Sequence, residues 1–137
     1  MSRIKKKIGI IGLGYVGLPF LHLLSKKKID VYGFDLDNFK INSIKKNLSY
    51  ISDLKNKDLK IINKKKILSM KEISQIYKVD YIIFCLPTPL TSKNEPDISI
   101  ILKAFNSIKP YLKKNQILFL ESTVYPGATR YIFHKYL

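Results

Sequence analysis

Three glycines, Gly12, Gly14 and Gly17, set between the apolar run Ile8-Gly9-Ile10-Ile11 and a stretch with helical apolar spacing, leave this chain few ways to fold. A strand must turn at once into a helix. In a G-x-G-x-x-G turn of this setting, Gly12 turns the backbone sharply off the strand and Gly14 keeps a Cβ out of the path of a pyrophosphate. Gly17 brings the helix close to the sheet. The helix then opens with free N–H groups aimed at the phosphates. A second apolar run, Val31-Tyr32-Gly33-Phe34, ends in Asp35, about 20 positions on, where a dinucleotide fold places the acid that takes ribose hydroxyls. The alternative is a glycine-rich turn that packs tightly and binds nothing, with Asp35 as a turn residue. The joint presence of strand, helix and acid favours the dinucleotide. Asp35 would accept hydrogen bonds from both adenosine ribose hydroxyls, and its charge would repel a 2′-phosphate. The expected cofactor is therefore NAD rather than NADP, with Lys40 over the adenosine end.

With 137 residues and 46% hydrophobic content the chain can bury one core, so residues 1–137 are expected to form one domain. No apolar run approaches the roughly 20 residues that span a bilayer, and no membrane insertion is expected. A cytoplasmic location follows as the expectation. Cys85 is the only cysteine, which excludes an intramolecular disulfide and a cysteine-based metal site; within an apolar strand it reads as a buried, inert thiol. The formal net charge of +15 invites comparison with nucleic-acid binders. Yet among the 25 basic residues only Arg3 and Arg130 are arginine, and the lysines fall in scattered clusters such as Lys26-Lys27-Lys28 and Lys64-Lys65-Lys66. Phosphate forks and base reading favour arginine, and no recognition helix or aromatic nucleic-acid-binding strand is present, so no specific nucleic-acid partner is expected.

Strand and helix patterns alternate along the chain. Strands are expected near 7–11, 31–34, 67–69, 81–86 and 117–120. Helices are expected near 15–27, with Val16, Phe20, Leu23 and Leu24 on one face, near 39–46, 56–63, 71–77 and 99–109, and from about Thr129 onward. The continuous apolar run Tyr81-Ile82-Ile83-Phe84-Cys85-Leu86 reads as a parallel strand buried on both faces. The fold class is α/β, a Rossmann-type doubly wound parallel sheet that stops before a sixth strand.

Ligands of such sheets lie beyond the carboxyl ends of the strands. Two loops fall there: Leu86-Pro87-Thr88-Pro89-Leu90 and Glu121-Ser122-Thr123-Val124-Tyr125-Pro126-Gly127. Thr88 and Thr123 each place a hydroxyl at a strand mouth. Either they reach the nicotinamide ribose or a substrate hydroxyl, or they cap the helices that follow.

Taken in order, Ile11-Gly12-Leu13-Gly14-Tyr15-Val16-Gly17-Leu18-Pro19, Gly33-Phe34-Asp35-Leu36-Asp37, Ser49-Tyr50-Ile51, Cys85-Leu86-Pro87-Thr88-Pro89-Leu90, Glu95-Pro96-Asp97-Ile98-Ser99 and Leu120-Glu121-Ser122-Thr123-Val124-Tyr125-Pro126-Gly127 make a pattern that covers essentially the whole chain. It resembles the N-terminal NAD-binding domain of the UDP-glucose/GDP-mannose dehydrogenase family, and most the branch acting on UDP-N-acetylglucosamine or a close UDP-N-acetylhexosamine. The glycine motif is common to many dehydrogenases; the Pro-Thr-Pro and Glu-Ser-Thr-Val-Tyr-Pro-Gly loops discriminate far better.

The resemblance implies an oxidoreductase that converts the sugar C6 alcohol to a carboxylate with two NAD through thiohemiacetal and thioester intermediates on a cysteine, as in surface polysaccharide biosynthesis. It implies that Gly12, Gly14, Tyr15, Val16, Gly17, Asp35 and Lys40 hold the NAD phosphates and adenosine ribose, with Thr88 and Thr123 at the nicotinamide end and Glu121 ordering its loop. The family's nucleophilic cysteine, its oxyanion-stabilising lysine and asparagine, its central helix and its UDP-sugar-binding domain all belong downstream of the matched region. Cys85 corresponds to a buried strand residue, not to that nucleophile. The expectation is thus no catalytic residue within these 137 positions: UDP-sugar is handled only with the missing domain or a partner chain supplying the C-terminal half. A stand-alone, non-catalytic NAD-binding or interaction module is the alternative, and a basic nucleic-acid-associated protein a more distant one.

Overall fold

The structure, a computed structural model, describes residues 6–136. There are five strands, β1 (Lys7–Ile11), β2 (Asp30–Asp35), β3 (Ile67–Ser69), β4 (Tyr81–Phe84) and β5 (Ile117–Leu120); an α-helix follows each of β1, β2, β4 and β5, and a 3-10 segment, Met70–Lys78, joins β3 to β4. The helices are α1 (Gly17–Lys26), α2 (Asn38–Lys45), α3 (Ser99–Ile108) and α4 (Ala128–Tyr136). The strands form one sheet in the order β3-β2-β1-β4-β5, and every pairing is parallel. Central β1 aligns Ile10 with Gly33 on one side and with Ile83 on the other. A parallel sheet covered on both faces requires strands without a polar side, and the sequences KIGII and YIIF meet that requirement beyond their first residues.

Alternate residues of each strand serve two cores. Ile10 and Ile83 face Leu18, Leu21 and Leu24 of α1 and Ile41 and Ile44 of α2. Ile11, Phe34, Ile82 and Phe84 face Phe105 and Ile108 of α3, where Phe84, Phe105 and Phe133 of α4 stack with centroid separations of 5.7 to 6.4 Å. Helices α1 and α2 therefore lie on one face and α3 and α4 on the other. The chain runs outward from β1 in one direction through β2 and β3 and in the other through β4 and β5. That reversal opens a crevice between the carboxyl ends of β1 and β4.

Three sequence expectations need correction. Helix α1 starts at Gly17 rather than near Tyr15, and its buried residues are Gly17, Leu18, Leu21 and Leu24. Phe20 is partly buried, but Val16 and Leu23 are 58% and 49% exposed, so the expected face is out of phase. The rotation is set by Gly17, which lies so close to the turn that a Cβ on it would stand 1.8 Å from the Gly12 carbonyl oxygen. Strand β4 ends at Phe84, not Leu86: the N–H of Cys85 makes the last bond to β1, at Ile11 O, 2.8 Å away. Both backbone groups of Leu86 turn instead to the Ser122 hydroxyl, at 3.2 and 2.8 Å, and Pro87 has no donor to continue a ladder. The helix expected near 56–63 is one 3-10 turn, Asp58–Ile61, since only Leu59 in it reaches the core.

Candidate functional site

A cleft of about 900 Å³ opens at the reversal point. Gly14, Tyr15 and Val16 form its floor, Asp35 and Lys40 one end, and Thr88 and Thr123 the other; α3 contributes Lys103, Ala104 and Ser107 as a wall. Eight of the nine expected site residues line it, and Gly17 lies beneath as a packing residue.

The three glycines have different reasons to be glycine. Gly12 sits at φ +95°, and a Cβ there would lie 2.4 Å from the Cys85 carbonyl oxygen. At Gly17 a Cβ would lie 1.8 Å from the Gly12 carbonyl oxygen. Both are required by the protein's own packing. A Cβ on Gly14 would meet no heavy atom beyond its own chain neighbours within 4 Å, and Gly14 borders the cleft. The backbone N–H groups of Gly14, Tyr15 and Val16 donate to no acceptor among the described residues. They lead into α1, which has no side-chain cap and no acid in its first turn, so its positive end is uncompensated. Bare donors, an open backbone and a helix N-terminus make a cradle for a phosphate group.

At the other side of the turn Asp35 is 6% exposed. Its Oδ2 accepts from the Leu13 N–H at 2.7 Å and its Oδ1 from the Asp37 N–H at 2.8 Å. Lys40 Nζ stands 3.6 Å from Oδ2. A carboxylate offers about four acceptor positions, so two backbone bonds leave capacity for a pair of vicinal hydroxyls. Lys40 thus stands beside Asp35 itself. Sequence reasoning assigned no role to Tyr50, whose hydroxyl donates to the Leu13 carbonyl at 2.5 Å. Burial, and then the charges of Asp35 and Asp37, push its phenol far above the ordinary range. The only signal for it was its place in the Ser49-Tyr50-Ile51 stretch.

The two threonine loops are tied together. Thr88 Oγ1 donates to Thr123 O at 2.7 Å, and Ser122 Oγ bridges to Leu86. Neither threonine caps a helix, which removes that alternative: α3 has no side-chain cap, and just before it Asp97 Oδ1 accepts from Ser99 N at 2.8 Å. Those bonds hold the Asp97 carboxyl below its ordinary range. Lys103 and Glu121 also border the cleft, and only Glu121 had drawn notice in the sequence. No cluster of three metal-ligating side chains occurs among the described residues.

Cys85 is buried just past β4, and burial, reinforced by the Glu121 charge, pushes its thiol from 9.0 up to about 11. A nucleophilic cysteine needs the opposite shift. Folding favours the neutral thiol, so its contribution to stability is whole below about pH 9 and is lost as the pH rises toward 11. At pH 8 the native thiol is expected to resist a disulfide exchange reagent that titrates it at once in urea. Rapid reaction of the folded protein would contradict the buried, protonated state.

A five-stranded parallel sheet with a phosphate cradle on one side of the reversal and a buried carboxylate on the next strand defines a Rossmann-type dinucleotide-binding domain. The sequence model of the UDP-glucose/GDP-mannose dehydrogenase family, NAD binding domain, matches residues 6–137. The chain belongs to that family, as its NAD-binding domain. It is 37% identical over 137 residues to the UDP-N-acetyl-D-mannosamine dehydrogenase of Methanocaldococcus jannaschii, covering 96% of this chain and 31% of that protein. It is 36% identical over 124 residues to the UDP-N-acetyl-D-glucosamine 6-dehydrogenase of Pseudomonas aeruginosa, covering 90% and 28%. The fold superposes on the UDP-D-ManNAc dehydrogenase of Pyrococcus horikoshii with a TM-score of 0.82 and 25% identity, over 94% of this chain and 31% of that one. The chain thus spans about a third of the length of its relatives. No helix among the described residues is long and apolar enough to cross a membrane.

Proposed function

We propose that this domain holds NAD for the oxidation of the C6 alcohol of a UDP-N-acetylhexosamine to the uronic acid, in the making of a surface polysaccharide. The observation that carries the reading is Gly14: apart from its chain neighbours no protein atom lies within 4 Å of where its Cβ would stand, on the open side of the cleft, where a ligand's pyrophosphate can approach the backbone. The N–H groups of Gly14, Tyr15 and Val16 take the pyrophosphate, above the turn set by Gly12 and Gly17. Asp35 takes the adenosine ribose hydroxyls and disfavours a 2′-phosphate, with Lys40 beside it. The Thr88 hydroxyl uses its O–H as donor to Thr123 O and so offers its lone pairs, whereas the Thr123 hydroxyl is bonded to nothing among the described residues. The pair supplies an acceptor and a donor at the nicotinamide end. When bound, NAD supplies the hydride acceptor; the domain orients it.

The substrate class follows from the relatives' names, which include both the mannosamine and the glucosamine epimer at near-equal identity. Cys85, buried at the end of a strand, is not assigned the thiol that would carry a covalent intermediate. Sugar binding and thiol chemistry are therefore assigned to sequence outside these residues, in the same protein or in a partner chain.

Calorimetric titration with NAD and NADP in parallel tests the cofactor reading. Saturable NAD binding with NADP at least about tenfold weaker is expected, the carboxylate facing the extra phosphate. Equal affinity for both would remove Asp35 from the ribose site, and no binding of either would end the cofactor reading. NADH formation from UDP-N-acetyl-D-glucosamine is expected to be absent for this chain by itself.

A further inference from the structure

Leu13 is held at both of its backbone groups, in two successive peptides, by partners that belong to different segments. Its N–H donates to Asp35 Oδ2 at 2.7 Å, and its carbonyl accepts from the Tyr50 hydroxyl at 2.5 Å. Tyr50 is itself fixed: its ring packs against Phe39 of α2 at a centroid distance of 6.3 Å, and it joins the core cluster beneath α1 and α2. Asp37, which accepts from the Phe39 N–H at 2.8 Å, donates its own N–H to Asp35 Oδ1 at 2.8 Å. The start of α2, the end of β2 and the loop after α2 thus meet around one residue of the glycine turn, Leu13.

The Leu13 carbonyl shares its planar, trans peptide with the Gly14 N–H, which must point the opposite way. Gly14 borders the cleft, and its N–H has no acceptor in the protein. Rotation of the Leu13–Gly14 peptide turns ψ of Leu13 against φ of Gly14, and on the Gly14 side no Cβ resists it. The Tyr50 bond opposes that rotation.

We propose that Tyr50 is a positioning residue for the cofactor: by holding the Leu13 carbonyl it aims the Gly14 N–H at the pyrophosphate, without touching the dinucleotide. The proposal rests on the reading that this turn receives the pyrophosphate. The hydroxyl is suited to the task because it is half-buried behind the turn, and a phenol, here pushed further up by burial and then by Asp35 and Asp37, stays protonated and hence a donor throughout the physiological range. The ring supplies packing and the hydroxyl supplies orientation, so Tyr50→Phe separates the two.

The test compares the unaltered chain with Tyr50→Phe by calorimetric titration with NAD, ADP and adenosine, together with the amide NMR resonance of Gly14 in the absence of ligand. Tyr50→Phe is expected to weaken NAD and ADP alike by about tenfold, as for one lost orienting hydrogen bond, and to leave adenosine within about twofold. The Gly14 amide resonance is expected to shift or broaden. A purely structural role would weaken all three ligands together, and that result overturns the proposal. Unchanged ADP affinity, or a Gly14 resonance that stays in place, also overturns it. If the unaltered chain binds neither NAD nor ADP, the cofactor reading falls with it, while a failure confined to Tyr50→Phe leaves that reading standing.

Discussion

Replacing Gly17 with alanine is expected to destabilise the domain by about 3 kcal/mol, at the upper end of overpacking effects, and to lower its melting temperature by about 10 °C. Glycine-to-alanine changes inside helices usually stabilise by up to roughly 1 kcal/mol, so the sign here is set by contact rather than propensity. The new Cβ would stand 1.8 Å from Gly12 O and 2.9 Å from Gly12 C, both backbone atoms. Gly12 cannot retreat, because its own α-carbon already borders the Cys85 carbonyl, with 2.4 Å available to a Cβ there. Helix α1 would have to lift from the turn, opening the contacts of Leu18, Leu21 and Leu24. Gly14→Ala is the control, with a stability change within about 0.5 kcal/mol and at least about tenfold weaker NAD binding. Thermal and urea unfolding followed by titration distinguish the two. Equal destabilisation by both changes would show that the cleft side of the turn is packed, contrary to the open space at Gly14.

Asp35→Ala is expected to weaken NAD binding by about 100-fold, corresponding to two hydrogen bonds between hydroxyls and a charged acceptor. It also removes the acceptor of the Leu13 and Asp37 N–H groups, which should cost about 2 kcal/mol of stability. Titration therefore has to be made at a temperature where the variant is folded. The preference for NAD over NADP should shrink at the same time, because the repelling charge is gone while Lys40, 3.6 Å from its former partner, remains to meet a 2′-phosphate. Undiminished NAD affinity in a folded Asp35→Ala protein would place the ribose elsewhere.

Most of the candidate site could be read in the chain because the turn concentrates it in consecutive residues. Gly12 to Gly17 carry their own geometry, and Asp35 stands at the end of an apolar run that can only be the next parallel strand. The α1 face was misjudged because helical spacing gives a period but not a phase. With apolar residues at Val16, Leu18, Phe20, Leu21, Leu23 and Leu24, more than one stripe satisfies the period. The contact of Gly17 with Gly12 selects among them. Tyr50 went unassigned because its bond to Leu13 spans 37 positions and ends on a carbonyl, which has no residue type to notice.

The sequence by itself determined the order of strands and helices, the sharp turn after β1, the acid at the end of β2 and the membership of the family. Those features rest on short-range rules: alternation of apolar runs, glycine where a backbone must turn or come close, and motifs a few residues long. Only the tertiary structure decided which face of α1 is buried, that Thr88 and Thr123 are bonded to one another across 35 positions, and that Asp35 holds Leu13 as well as standing at the cleft. Each of these depends on a partner brought near by the packing of separate β-α units, and the free energy of such contacts exists only once the sheet has assembled.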